Sequence, residues 1–374
     1  MRRLPKLPQQ LLDLHRATYL KPLACLFERL GEGEPIRWRR NFATDAPKLK
    51  SQKKQEQSEV SEQRRLLQKK PVRKYVKRIA ELLRGKEGLL TARPERVDEI
   101  AKEFECNFLA GSDAAVIDQI NKRLICRIFD YDDGFAQAKG PDVAHCWPCP
   151  KGRYGWCSNA SGWGAVELLK YYHGFLRYCP YCNADTVYVM ESGKKYVKSS
   201  LDHFYPQSRF PFFALSLYNL IPSCTRCNSG IKHDKSPFDI GLKSPFMLDV
   251  HDEMIFAPVV RSMSVFNGRP KEGEVGVVAL PRTHTERKSN DGVKQAEFLK
   301  LPTLYASSFE SEIVDSIRLR SLYASHHLKQ LKKILHVSSM DELERLVFGM
   351  PSSADAIHRF RLSKLNMDIR QIFD

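Results

Sequence analysis

Four of the ten cysteines fall into two matched pairs, Cys179-Pro-Tyr-Cys182 and Cys224-Thr-Arg-Cys227. Each C-x-x-C turn presents two sulfurs toward one point, and two such turns about 40 residues apart close a tetrahedral four-thiolate site for zinc. A redox dithiol would account for one pair but not for two. His145, Cys146, Cys149 and Cys157 form a less regular group that could hold a second zinc. Cys25, Cys106 and Cys126 stand alone, and apolar neighbours make buried packing the expectation for Cys106 and Cys126.

The segment between the knuckles carries the other reactive groups. It contains Asp202-His203, then Asn219, then Asn228 directly after the last knuckle cysteine, and on to Lys232 and Lys235. An adjacent Asp-His pair lets one side chain bind a hard cation while its neighbour handles a proton. Asn219 can orient the imidazole or its backbone, and Asn228 opens an expected helix whose start the zinc would fix. Oxygen donors from Asp202 and Asn228 suit Mg²⁺ or Mn²⁺, which keep several waters and complete their shell from substrate phosphate. A His base, a Lewis-acid cation and nearby lysines are the parts needed to hydrolyse a phosphodiester.

The stretch 178–238 resembles an HNH endonuclease, the zinc-stapled ββα-metal type. Three runs carry the likeness: Leu201-Asp202-His203-Phe204-Tyr205-Pro206, 214–224 with Tyr218-Asn219-Leu220, and Cys227-Asn228-Ser229. They are similar to HNH proteins of bacterial anti-phage operons, as is the tail Ser363-Lys364-Leu365-Asn366-Met367-Asp368-Ile369. The resemblance implies that His203 activates water, that Asp202 and Asn228 hold the catalytic cation, and that Asn219 positions the His-bearing loop. It further implies structural zinc on Cys179, Cys182, Cys224 and Cys227, DNA or RNA as substrate, and a regulatory ATPase or other defence-system subunit as partner. Asn228 stands where many members have a final His, which makes soft metals less suited. The family's His-x-x-Lys run becomes Asn228-x-x-x-Lys232 here, and His233 is a substitute ligand candidate. Two other readings fit parts of the pattern: a zinc-dependent nucleic-acid-binding module without catalysis, and an RNase.

The elements that must position these groups are mostly helical. The expected class is α+β, a central ββα-metal module flanked by helical regions. The divisions are 1–95, basic helix and linker; 96–164, helical with a Cys/Trp-rich loop; 165–250, the nuclease module; and 251–374, mainly helical. Helical spacing is expected through most of 1–35, from Val72 to Leu83, after Pro94, and over 114–129 with Val116, Ile120, Leu124 and Ile128 on one face. Residues 41–63, rich in Gln, Ser, Lys and Glu, suggest a mobile linker. Residues 251–295 read as irregular with some strand. Phe309, Ile313, Ile317, Leu328, Leu331 and Leu335 suggest one long amphipathic stripe. Ser339 and Glu342 read as a capping box, and Gly349 as a helix stop.

The chain has 374 residues and a formal net charge of +16. From Arg37 to Lys86 seventeen Lys or Arg face five Asp or Glu, so +12 of the excess lies in one stretch. Charge concentrated this way favours phosphate polyanions; Arg73, Lys74, Lys77 and Arg78, with Lys232 and Lys235 near the site, are the candidate contacts. No apolar run reaches membrane-spanning length. The basic N-terminus lacks the apolar region of a signal peptide, so a cytoplasmic protein is expected.

Overall fold

The computed structural model describes residues 2–36, 50–85, 88–129, 131–136, 163–192, 195–282, 290–323, 325–349 and 353–373. The described chain is α+β and mostly helical, with three two-stranded antiparallel sheets.

Helix α1 (Gln9–Gly31) buries Leu23, Leu26, Phe27 and Leu30, and packs against α3 (Lys70–Arg84). In α3, Val72, Tyr75, Val76, Ile79, Leu82 and Leu83 recur at helical spacing and are all buried, which drives the basic residues between them outward. Between them lies α2 (Lys50–Leu67), which overturns the expected linker for residues 50–63; residues 41–49 lie outside the described residues. Gln, Glu and Lys are strong helix formers, and α2 gains tertiary contacts: Gln63 Oε1 accepts from the Ile36 amide at 2.9 Å, and Glu62 pairs with Arg123 at 2.7 Å. The composition that suggested disorder serves an exposed helix equally well.

Pro94 opens α4 (Pro94–Phe104), where its missing N–H costs nothing. The next rod starts as α5 (Ala114–Ile120), widens over Asn121–Ile125 and ends at Cys126–Ile128. Ile117, Ile120, Leu124 and Ile128 are buried on it. Cys106 is exposed and Cys126 half-buried. Phe104 and Phe108, one turn apart, claim the inward face and turn Cys106 outward.

Helix α6 (Ala165–His173) precedes three hairpins. Strand β1 (Val189–Ser192) pairs with β2 (Lys195–Lys198), and β3 (Ser200–His203) with β4 (Leu220–Ser223). Directly after β4 comes α7 (Arg226–Lys232), a short, wide-turned helix lying on β3. Strand β5 (Met254–Val260) pairs with β6 (Val275–Pro281), so two full strands stand within the segment expected to be irregular.

The C-terminal part runs through α8 (Asp291–Phe298), α9 (Leu301–Ser308), α10 (Glu310–Leu322), α11 (Ser325–Ile334), α12 (Met340–Phe348) and α13 (Ser363–Phe373). The expected stripe breaks between α10 and α11. Phe309, Ile313, Ile317 and Leu328 are buried, whereas Leu335 is 53% exposed. Ser339 Oγ accepts from the Glu342 amide at 3.0 Å, and Gly349 ends α12 with φ 69°. No helix among the described residues is long and apolar enough to cross a membrane.

Apolar side chains from Leu4 to Ile369 form one buried cluster, so the four expected regions share a core. His15 of α1 shows how that core reaches the site. It is fully buried; Trp163 Nε1 donates to its Nδ1 at 2.9 Å, and its Nε2 donates to the Leu215 carbonyl at 2.7 Å. Burial lowers its pKa from 6.5 to about 4. Between those values the unfolded chain binds a proton that the folded chain refuses, so the contribution of His15 is complete above pH 6.5 and is lost as pH falls toward 4. The shift corresponds to roughly 3 kcal/mol. The stability gap between wild type and His15→Gln should therefore shrink as pH falls from 7.5 to 4.5 in urea titrations. A gap that stays constant across that range would refute the neutral, doubly bonded imidazole.

Candidate metal centre and adjoining hairpin site

The four knuckle cysteines come together. Their Sγ atoms lie within 4.8 Å of one another, and all four are buried. Sulfurs about 2.3 Å from a zinc ion form a tetrahedron with edges of about 3.8 Å, and Cys182 Sγ lies 3.9 Å from Cys224 Sγ. The second knuckle folds back on itself, with the Cys227 amide aimed at Cys224 Sγ at 3.5 Å. Burial pushes the Cys179 thiol well up, while its three sulfur neighbours hold Cys182 down. The cluster can hold a metal ion such as zinc, and with four sulfur donors it leaves no open position for chemistry.

Asn183 closes the first knuckle, and sequence reasoning passed over it. It takes φ 52°, a left-handed conformation that Asn tolerates better than most residues. Its carboxamide is fully buried: Nδ2 donates to the Ile357 carbonyl at 2.8 Å, while Oδ1 accepts from Ser363 Oγ at 2.9 Å and the Lys364 amide at 3.0 Å. The Ser363-Lys364 start of the C-terminal tail thus braces the knuckle. An Asn one residue past a C-x-x-C is the signal that could have flagged it. Tyr305 adds a second pin, donating to the Cys182 carbonyl at 2.7 Å.

Strand β4 runs straight into Cys224, so the cluster anchors the hairpin that carries His203. The loop after His203 is held by Asn219, which is fully buried. Asn219 Oδ1 accepts from the Tyr205 amide at 2.7 Å, and its Nδ2 donates to the carbonyls of Tyr205 at 3.1 Å and Phe213 at 3.2 Å. The same loop presents the Ala214 carbonyl 3.1 Å from His203 Nε2. A carbonyl can only accept, so Nε2 carries the proton and Nδ1 is left as the basic nitrogen. Tyr131 meets the ring edge-on at 4.6 Å. Desolvation by these neighbours lowers the His203 pKa, so the imidazole is neutral at neutral pH.

Asp202 has a different surrounding. It is 2% exposed, its Oδ1 accepts from Lys232 Nζ at 2.9 Å, and its Oδ2 accepts from the Tyr181 hydroxyl at 2.6 Å. Burial beside Asp202 pushes the Tyr181 phenol well up, so it stays a donor. Lys232 Nζ also donates to the His203 carbonyl at 2.7 Å. The Lys232 ammonium thus stands where a divalent cation on Asp202 would stand. Asn228 lies on the same side of the hairpin, with Nδ2 donating to Ser200 Oγ at 3.0 Å. This arrangement does not fit Mg²⁺ or Mn²⁺ on Asp202 and Asn228. The carboxylate is already neutralised by a buried cation, and a hard ion would have to displace it.

The remaining candidates scatter. Lys232 is 1% exposed and cannot reach a phosphate, contrary to expectation. Its wide-turned helix points it inward at Asp202. Lys235 is exposed, 5.2 Å over the Phe298 ring. His233 sits past the end of α7 with φ 45° and pairs with Asp234 at 3.4 Å, away from Asp202. On α3, Arg73, Lys74 and Lys77 are exposed, but Arg78 is clamped by both oxygens of Glu103 at 2.6 and 2.9 Å. His145, Cys146, Cys149 and Cys157 lie outside the described residues. No protein-family model, curated protein or solved structure matches this chain.

Proposed function

We propose that this chain is an HNH-type endonuclease that hydrolyses nucleic-acid phosphodiesters, with DNA as the main substrate. One observation carries the reading: His203 is a neutral imidazole whose Nε2 is tied to the Ala214 carbonyl, on a loop that Asn219 bolts to the hairpin. Such a group is a pre-oriented base. Nδ1 takes a proton from water as that water attacks phosphorus in line; the opposite P–O ester bond breaks, the sugar oxygen leaves and takes a proton from solvent, and the imidazolium formed keeps its bond to Ala214 until it returns its proton to solvent. Beside it, a strand pair and a helix stapled by four cysteines support the ββα likeness. The exposed Arg73, Lys74 and Lys77 offer contacts for the phosphate backbone. The likeness alone extends the proposal to anti-phage defence with a regulatory ATPase.

The occupied Asp202 favours a second reading, a zinc-dependent nucleic-acid-binding module without catalysis. Incubation with supercoiled plasmid, single-stranded DNA and RNA, each with Mg²⁺, Mn²⁺ or EDTA, separates the two. Nicking or linearisation of plasmid is expected, together with a loss of at least about 100-fold in His203→Ala at unchanged binding and zinc content. The rate should fall only as pH drops below about 6.5, because the lowered pKa keeps His203 unprotonated above that value. Full activity in His203→Ala would remove the mechanism. Tight binding with no cleavage under any condition would establish the binding module, and cleavage of RNA alone an RNase.

A further inference from the structure

The N-terminal segment lies against Pro245 and His358 and borders a cleft. The Leu4 amide donates to the Pro245 carbonyl at 2.8 Å, and His358 Nε2 meets the Arg2 carbonyl at 2.8 Å. Between this segment, the start of α4, α6 and the turn 354–359 lies a cleft of about 590 Å³.

Three kinds of group line it. Arg3, Lys6 and Arg359 are exposed, and none has an ion-pair partner among the described residues. Tyr171 and Phe175 are half-buried aromatic rings, 5.5 Å apart and nearly perpendicular. His358 is 6% exposed, and its Nε2 must donate to the Arg2 carbonyl, so its Nδ1 is an acceptor. That Nδ1 has no partner, and neither has the buried Asp249 Oδ1 in the same lining. Glu95 and Asp355 on the lining keep its net positive charge small, which suits a ligand with one phosphate better than a polyanion.

We propose that this cleft binds a nucleoside monophosphate. Its phosphate meets Arg3, Lys6 and Arg359, and its base lies against the Tyr171–Phe175 ring pair. A cationic rim and an aromatic pair are the chemistries the lining offers, and a nucleotide supplies the anion and the flat ring that answer them. The site is separate from the His203 hairpin, so the proposal stands whether or not the chain cleaves nucleic acid.

The test is calorimetry and thermal shift on the full zinc-loaded chain with AMP, GMP, CMP and UMP, and with adenosine and inorganic phosphate as controls. At least one monophosphate should bind ten or more times tighter than either control. The surface triple variant Arg3→Ala, Lys6→Ala, Arg359→Ala should lose at least tenfold of that affinity while keeping its melting temperature. Tyr171→Ala should weaken the monophosphate but not phosphate. Absence of binding by all four monophosphates at millimolar concentration would overturn the proposal. So would phosphate binding as tightly as the nucleotides, or a triple variant with unchanged affinity.

Discussion

Cys224→Ser is expected to unfold the central hairpin region, and the purified wild type to carry at least one tightly held zinc per chain. The four thiols converge from two turns that no disulfide joins. Without a metal they place sulfurs in van der Waals reach with nothing to draw them together. A structural zinc supplies on the order of 10 kcal/mol in such sites, which equals or exceeds the net stability of most domains. Loss of one thiolate therefore propagates. β4 leads into Cys224, α7 starts two residues later, and the Cys182 carbonyl anchors Tyr305 in the C-terminal core. Elemental analysis and circular dichroism read the outcome. A metal-free protein with an intact fold would show that the cluster is four packed thiols. A stoichiometry of two would support the proposed second ion on His145, Cys146, Cys149 and Cys157, and their substitution by Ala or Ser would test it.

The parts of this site that were legible in the sequence are those specified locally. A C-x-x-C turn carries its own geometry, so the convergence of Cys179, Cys182, Cys224 and Cys227 could be expected from spacing alone. For Asn219 the residues alone left open whether it orients the imidazole or its backbone; only the family resemblance implied that it positions the loop after His203. The role of Asp202 was not, because it is decided by partners distant in sequence. Tyr181 lies 21 residues before it and Lys232 30 residues after it, and only the pairing of β3 with β4 brings α7 over the carboxylate. Adjacent Asp and His suggested a shared task, yet neighbouring strand residues point to opposite faces. His203 turns to Ala214 and Tyr131, and Asp202 turns to the helix. Composition misled at α2, where Gln, Lys and Glu serve an exposed helix as well as a linker. The long C-terminal stripe failed for a related reason: helical spacing of the apolar residues continues from α10 into α11, whereas the helix ends at Leu322 and a new one starts at Ser325.

Lys232→Met is expected to cost about 3–5 kcal/mol. Both members of the Lys232–Asp202 pair are 2% exposed at the side chain, so removing the ammonium leaves a buried carboxylate with one phenol donor. Breaking a buried pair costs this much because the surviving charge is stranded, while replacing both partners by apolar groups is often nearly neutral. Asp202→Leu combined with Lys232→Met should therefore recover most of the stability that either single change loses. Urea unfolding of the zinc-loaded proteins measures all four corners of that cycle. The same cycle decides how a divalent ion relates to the site. If Mg²⁺ takes the place of Lys232 on Asp202, it should stabilise Lys232→Met far more than wild type and leave the double variant unaffected. If the ammonium is the resident cation, Mg²⁺ should move none of the four midpoints beyond a common ionic-strength effect. A Lys232→Met protein as stable as wild type without added metal would remove the buried pair as a support of the fold, and with it the reason for denying a hard ion to Asp202.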